Sequence, residues 1–262
     1  MKIWIITMED PVYTVDFIKT IISECKYDVL GLTITRGNRF KIGKGKSKVL
    51  YALSLFIIMG IPFSAKLLLK KIRYSFTKNF FPSSPLTLSG FAKKNGLIVN
   101  YVANPNSKSF LEKLNDYDID VIISQSQHIL KRRLLSIPSI GVLNRHNALL
   151  PKNRGRLTPF WVLYKKEKET GVSIHFVDEK IDSGSIVRQV KYDVPPNATF
   201  GKIVNENYQR AAHAMLDALD IIKQGEIKLI RNDDEHSTYN SIPTFRQALV
   251  FRLRDPIGIF RM

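Results

Sequence analysis

Cysteine is almost absent from this chain of 262 residues, with Cys25 standing alone. A single thiol excludes a disulfide framework and a zinc site built on paired thiolates. Internal repeats and low-complexity tracts are missing as well. With 44% apolar and 24% charged residues, that pattern excludes a disordered or fibrous chain. The start, MKIWIITMEDP, turns acidic after an apolar run too short for a secretory signal. It reads as a first strand, and the expected location is the cytoplasm. The most informative absence is of acidic side chains: none occurs between Asp28 and Glu112. The same window holds Arg36, Arg39, Lys41, Lys44, Lys46, Lys48, Lys66, Lys70, Lys71, Arg73, Lys78, Lys93, Lys94 and Lys108. Those fourteen cations supply most of the net charge of +17. Charge segregated in this way calls for an anionic partner on one face: nucleic acid, phosphate or acidic lipid.

Hydrophobic patterning gives the fold class. Residues 2–7 (KIWIIT) form an apolar strand, 11–26 a helix opened by Pro11, and 27–35 (YDVLGLTIT) a second strand. The alternation resumes with a helix over 86–95, a strand over 97–102, a helix over 107–114 and a buried strand over 119–124 (IDVIIS). A short helix over 127–135, a strand over 140–144, strands over 172–177 and 185–192, and a helix over 201–225 complete it. Strands alternating with helices predict an α/β fold with a mostly parallel, twisted sheet covered on both faces.

One stretch breaks the alternation. Residues 49–65 (VLYALSLFIIMGIPFSA) carry no charge and are flanked by Lys48 and by Lys66, Lys70, Lys71 and Arg73. The run reaches the lower edge of a membrane span. Spanning would put strands of one sheet on opposite sides of a bilayer, and Gly60 and Pro62 interrupt the run. Two readings remain: a core helix or hairpin with a solvated basic flank, or a hydrophobic and basic element on an anionic membrane, peripheral to its inner face. Nucleic acid suits so apolar a run less well.

Chemistry concentrates in residues 141–189. A strand ends in Asn144-Arg145-His146 and runs into a loop rich in Asn, Pro, Arg and Gly. Open α/β sheets bind ligands at such strand ends. Asn144 and His146, two apart in an extended strand, point to the same side. Asp182-Ser183-Gly184 makes a turn between two strands. Together Asn144, His146 and Asp182 offer an oxyanion donor, a proton carrier and a carboxylate to orient it. No nucleophile accompanies them, which favours direct group transfer over a covalent intermediate. His175, in phase with Ser173 and Val177, reads as structural or as a pocket wall. His128, His213 and His236 have no partner visible in sequence, Trp161 reads as core, and no metal site is expected.

The string N-x-H-x-x-L-L-P, R-G-x-x-x-x-x-W, T-G-V-S-I-H and D-x-G-x-I-V-x-Q resembles the 10-formyltetrahydrofolate-dependent formyltransferases. That family includes enzymes acting on methionyl-tRNA, glycinamide ribonucleotide and amino sugars. The resemblance extends more loosely over residues 1–225, implying a Rossmann-like catalytic domain with a basic and hydrophobic insertion at about 36–81. Residues 226–262 would form a short C-terminal extension, of which residues 239–262 pack on the core, mediate dimerisation or stay mobile. The resemblance assigns catalysis to Asn144, His146 and Asp182. It implies a folate wall over 124–129 and 176–182, with contacts from Ser126, Gln127, Val177 and Ile181, and substrate contacts from Arg154 and Arg156. Two stretches depart from the family pattern: Ser124-Gln125-Ser126-Gln127 and, after the first strand, Met8-Glu9-Asp10-Pro11.

Three acceptors fit the resemblance. A tRNA enzyme would use the basic charge, but normally carries a further C-terminal domain, where only residues 226–262 follow the last long helix. A purine-pathway enzyme would not need the insertion. RGRLTPFWVL is similar to the corresponding loop of bacterial sugar enzymes, and the tail is similar to those of surface-polysaccharide proteins. The expected acceptor is therefore a nucleotide- or lipid-linked amino sugar of lipopolysaccharide or O-antigen type. The alternatives are a methionyl-tRNA formyltransferase-like enzyme and a catalytically silent binding homologue.

Overall fold

The computed structural model describes residues 1–12, 14–36, 47–225 and 228–261. Its first half runs β1 (Lys2–Met8), α1 (Val15–Glu24), β2 (Asp28–Thr35), α2 (Lys48–Met59), α3 (Ile61–Phe80), α4 (Leu88–Lys94), β3 (Ile98–Val102), α5 (Lys108–Asn115), β4 (Val121–Gln125) and α6 (Arg132–Leu135). The second half runs β5 (Gly141–His146), β6 (Arg154–Gly155), α7 (Thr158–Tyr164), β7 (Glu169–Phe176), β8 (Ile186–Asp193), α8 (Phe200–Gln224), β9 (Tyr239–Asn240) and α9 (Phe245–Leu253). A 3₁₀ turn, Pro256–Phe260, follows.

Seven strands form one sheet in the order β3-β2-β1-β4-β5-β7-β8. Pairing is parallel from β3 through β5 and antiparallel from β5 to β7 and β8. The alternation along β1 shows why this sequence makes a doubly covered sheet. Ile3 and Ile5 enter one core with α1, α4 and α8, while Trp4 and Ile6 enter another with α5 and α6. The chain steps from β1 to β2 and β3 on one side, then returns to place β4 on the other. That reversal opens a crevice at the carboxyl ends of β1 and β4.

Two elements are shorter than their pattern predicts. The first helix starts at Val15, not at Pro11, because the Thr14 hydroxyl donates to the Met8 carbonyl (2.7 Å) and accepts from the Asp10 amide (3.1 Å). Those bonds hold residues 10–12 and 14 out of the helix; Tyr13 lies outside the described residues. The helix expected over 127–135 reduces to α6. Upstream of it, Asn106 binds the Ile129 carbonyl (3.0 Å) and the Lys131 amide (2.7 Å), which fixes the chain as a loop.

The insertion forms two helices that meet at 114° about Gly60. No single helix among the described residues is long and apolar enough to cross a membrane. α2 buries Tyr51, Leu55 and Ile58, the last with Phe160, Phe200 and Ala248 in a third core of α7, α8 and α9. α3 buries only Phe63. It is tied to the sheet by polar anchors instead. The Tyr74 hydroxyl donates to Glu9 (2.7 Å) and accepts from the Leu88 amide (2.9 Å), Lys78 pairs with the buried Glu9, and Lys70 with Asp16. Burial, with Glu9 beside it, raises the Tyr74 phenol well above its usual value, so it stays a donor. Arg39, Lys41, Lys44 and Lys46 of the basic window lie outside the described residues.

The segment after α8 packs back on the core. β9 pairs in parallel with β6, α9 lies along α2, and Arg252 donates to the Ile57 and Ile58 carbonyls at the end of α2 (2.7 and 3.1 Å). A positively charged side chain at a helix carboxyl end complements its dipole.

Candidate active site

A cavity of about 880 Å³ lies at the carboxyl ends of the central strands. Residues 8–12 after β1, 125–127 after β4 and 144–147 at the end of β5 form one wall; α2 and α3 close the other with Leu55, Phe56, Leu67 and Leu68. Asn144, His146 and Asp182 all line it.

Asn144 and His146 project from β5 in the same phase, as the strand period requires. The Gln125 side-chain amide donates to Asn144 Oδ1 (2.9 Å) and to the Ser124 carbonyl (2.7 Å). Because Gln125 occupies the carbonyl end of the Asn144 amide, the Nδ2 end is left as a donor for the cavity. The Ser124–Gln127 stretch departs from the family pattern and places an orienting group here. Replacing Gln125 with alanine is expected to lower kcat about tenfold with the acceptor KM little changed, since small misplacements near reacting atoms are costly. Steady-state kinetics on Gln125→Ala checks this.

His146 is buried, with Nε2 2.7 Å from the Asn153 carbonyl and Nδ1 3.4 Å from Asp182 Oδ2. A carbonyl only accepts, so Nε2 carries the hydrogen. Asp182 Oδ2 also accepts from the Gly155 amide (2.9 Å), and Oδ1 stands 3.8 Å from His175 Nε2. His175 Nδ1 donates to the Phe176 carbonyl (2.7 Å). Complete burial drives the His175 imidazole down to about 4, against the opposing pull of Asp182, so it remains neutral beside the carboxylate.

Two glycines of the motif string are explained by close approach. At Gly184 a Cβ would lie 1.9 Å from the Phe176 carbonyl oxygen. At Gly155, with φ of +101°, it would lie 2.2 Å from the Asn240 carbonyl oxygen. Each lets a loop bearing a site residue press against backbone.

Both loops are held by residues beyond 226. Asn232 donates to the Asp182 and Gly184 carbonyls (2.9 and 2.8 Å), fixing the turn in which Asp182 has a left-handed φ of 51°. Asn153 is fixed by Thr238, Asn240, Lys165 and Glu167. Sequence reading treated this segment as an extension and missed its part in the site. The polar run from Asn232 to Asn240 is the signal that could have shown it.

The predicted contacts divide. Ser126, Gln127 and Arg156 line the cavity. Arg154 does not: its guanidinium turns away to Asp234 (2.6 Å) and Asn232 (2.9 Å) and fastens the C-terminal segment. Val177 and Ile181 are also outside the wall. Once β7 ends at Phe176, the Val177 amide pairs with the Val142 carbonyl (2.7 Å) and its side chain joins the core beside α5 and α6, while Ile181 is exposed. Of the predicted 176–182 wall, only Asp182 reaches the cavity. Glu9, Tyr51 and Lys71 are among the wall residues that escaped sequence reading. Trp161 is core, as expected, and its indole N–H reaches the Ser241 carbonyl (3.0 Å). Among the described residues, no group of three or more His, Cys, Asp or Glu could hold a metal ion.

Comparison with known proteins supports the same reading. The family model for formyl transferase matches residues 91–219. Methionyl-tRNA formyltransferase of Clostridioides difficile is 28% identical over 159 residues, 60% of this chain and 51% of that protein. The chain thus spans about half the length of the curated relatives it matches. Glycinamide ribonucleotide transformylase 1 from Symbiobacterium toebii superposes with a TM-score of 0.59 at 14% identity, covering 89% of this chain and 94% of that one. An N-formyltransferase from Helicobacter canadensis, solved with folinic acid and dTDP-3-aminofucose, gives 0.57 at 16% identity over 92% and 71%. At such identities the superpositions speak for the fold. The match over 91–219 includes the Asn144, His146 and Asp182 motifs, and over these residues the chain is similar to the formyl transferase family.

Proposed function

We propose that the protein transfers the formyl group of 10-formyltetrahydrofolate to the amine of a nucleotide- or lipid-linked amino sugar. The observation that carries this reading is the convergence of Asn144, His146 and Asp182 on one cavity at the strand ends. The residues present fit a folate: the volume suits a molecule of that size, and Gln125, Ser126 and Gln127 supply polar contacts. The folate supplies the activated formyl carbon. The amine nitrogen forms the new C–N bond, the bond to the folate nitrogen breaks, and one proton passes from the amine to that nitrogen. Asn144 Nδ2 donates to the oxygen on which negative charge develops. With Nε2 held by the Asn153 carbonyl, the Nδ1 edge of His146 faces the Asp182 carboxylate, which orients the ring beside the same oxygen.

Arg156 and Lys71 line the cavity and suit a phosphate on the acceptor. A second reading, methionyl-tRNA as acceptor, is favoured by the names of the curated relatives. Folate release is the deciding assay, run with nucleotide-linked amino sugars and with initiator methionyl-tRNA. Turnover with a sugar supports the proposal, and turnover with the tRNA alone replaces it. With the sugar, Arg156→Ala is expected to raise the acceptor KM about tenfold or more while kcat changes less, as for loss of a charged contact.

A further inference from the structure

α3 carries its apolar residues on the outside. At 100° per residue, Leu68, Ile61, Ile72, Ala65, Phe76, Leu69 and Phe80 lie within one arc of about 120°, which Asn79 shares near the end of the helix. All of them are exposed, Leu69 by 68% and Phe76 by 56%. Exposed Lys66 and Arg73 border the arc on one side, and Lys71 lies on the other, beyond Ser64 and Ser75. The anchors of Tyr74, Lys70 and Lys78 on Glu9 and Asp16 lie on the opposite side, so the orientation is fixed by the fold. α2 adds exposed Val49, Leu50, Leu53 and Phe56. Leu249 and Leu253 of α9, packed along α2, and Ile257 and Phe260 of the adjoining 3₁₀ turn are exposed as well. Apolar exposure on this scale marks an interaction surface.

The charge indicates what covers it. Neither α2 nor α3 contains an acidic residue. Apposing two copies about a two-fold axis would set Lys66, Lys71 and Arg73 against their own kind. A nucleic-acid backbone complements the cations and leaves the Leu, Ile and Phe side chains without partners. An apolar stripe between two cationic borders matches the boundary between acyl chains and acidic headgroups. The cavity opens at this surface, since Phe56 and Leu68 belong both to the exposed face and to the cavity wall. We propose that the α2–α3 face docks on an anionic lipid bilayer and that the acceptor, an amine-bearing group on a lipid phosphate, enters the cavity from it. The acceptor half of this proposal rests on the transfer reaction proposed above; the docking half does not.

Co-sedimentation with vesicles tests the docking without folate. The full chain is expected to bind phosphatidylglycerol–phosphatidylcholine vesicles at low salt and phosphatidylcholine vesicles weakly. The double variant Leu69→Glu/Phe76→Glu, outside the cavity, is expected to lower the bound fraction about tenfold or more at unchanged Tm. An Ile72→Trp variant is expected to be quenched by brominated acyl chains, whereas the buried Trp4 and Trp161 are not. Absence of binding at low salt, or wild-type binding by the double variant, overturns the docking. Self-association without lipid that the double variant dissolves also overturns it, in favour of a second copy. With vesicles present, turnover of a lipid-linked amino sugar is expected to fall in the double variant while its soluble headgroup reacts equally in both proteins; equal loss or no loss on both overturns lipid-side entry. Vesicle binding without formylation of any amine would remove the transfer reading and leave the docking intact.

Discussion

Replacing His146 with alanine is expected to lower turnover about 10²–10³-fold, the usual loss when one group stabilising an oxyanion is removed. Asp182→Asn should produce a loss of the same order, because an amide cannot orient the His146 ring and accept from the Gly155 amide as the carboxylate does. The double variant is the sharper test. His146 faces the Asp182 carboxylate at 3.4 Å, and Asp182 reaches the cavity chemistry through it. Residues acting as one unit are not additive, so the double variant should be little slower than His146→Ala alone. Folate affinity, measured by fluorescence quenching, should change much less than kcat in all three. Multiplicative losses in the double variant would mean that Asp182 acts on substrate directly.

How much of this was legible in the sequence depended on how local each cause is. The strand alternation of Ile3, Trp4, Ile5 and Ile6 and the spacing of Asn144 and His146 are local, and the sheet and the phase of the two side chains follow from them. The early start predicted at Pro11 failed because Thr14 reaches back to Met8, a bond that competes with helix in a way periodicity does not reveal. Arg154 and Arg156 look alike in sequence, one residue apart on either side of Gly155. Only the fold shows that Asp234, eighty residues on, draws Arg154 out of the site. The same holds for the grip of Asn232 on the Asp182 turn. The uncharged run ahead of Lys66 raised both a buried and a membrane-facing reading; α2 proves to be partly core, while α3, which begins in the run and continues past it, turns its apolar side outward.

Lowering the pH from 7 to 4 is expected to cost the folded state about 3 kcal/mol through His175 alone. The imidazole is completely buried and its value falls to about 4, first by desolvation and against the attraction of Asp182 and Asp178, with His146 adding repulsion. In the unfolded chain it titrates near the ordinary 6.5. Between these values the unfolded state binds a proton that the folded state refuses, so stability rises with pH across the window. The contribution is complete above 6.5, is lost as pH falls toward 4, and levels off below. Urea unfolding of wild type and His175→Gln at pH 7, 5.5 and 4 should show the gap between them closing by that amount in the variant's favour. Parallel loss in both proteins would place the acid sensitivity elsewhere. The local geometry explains why the fold tolerates so reluctant a histidine. Nδ1 is satisfied by the Phe176 carbonyl, while a proton on Nε2 would stand 3.8 Å from Asp182, too far for a hydrogen bond. A neutral His175 therefore stands behind Asp182, outside the cavity wall, without competing for the carboxylate that faces His146.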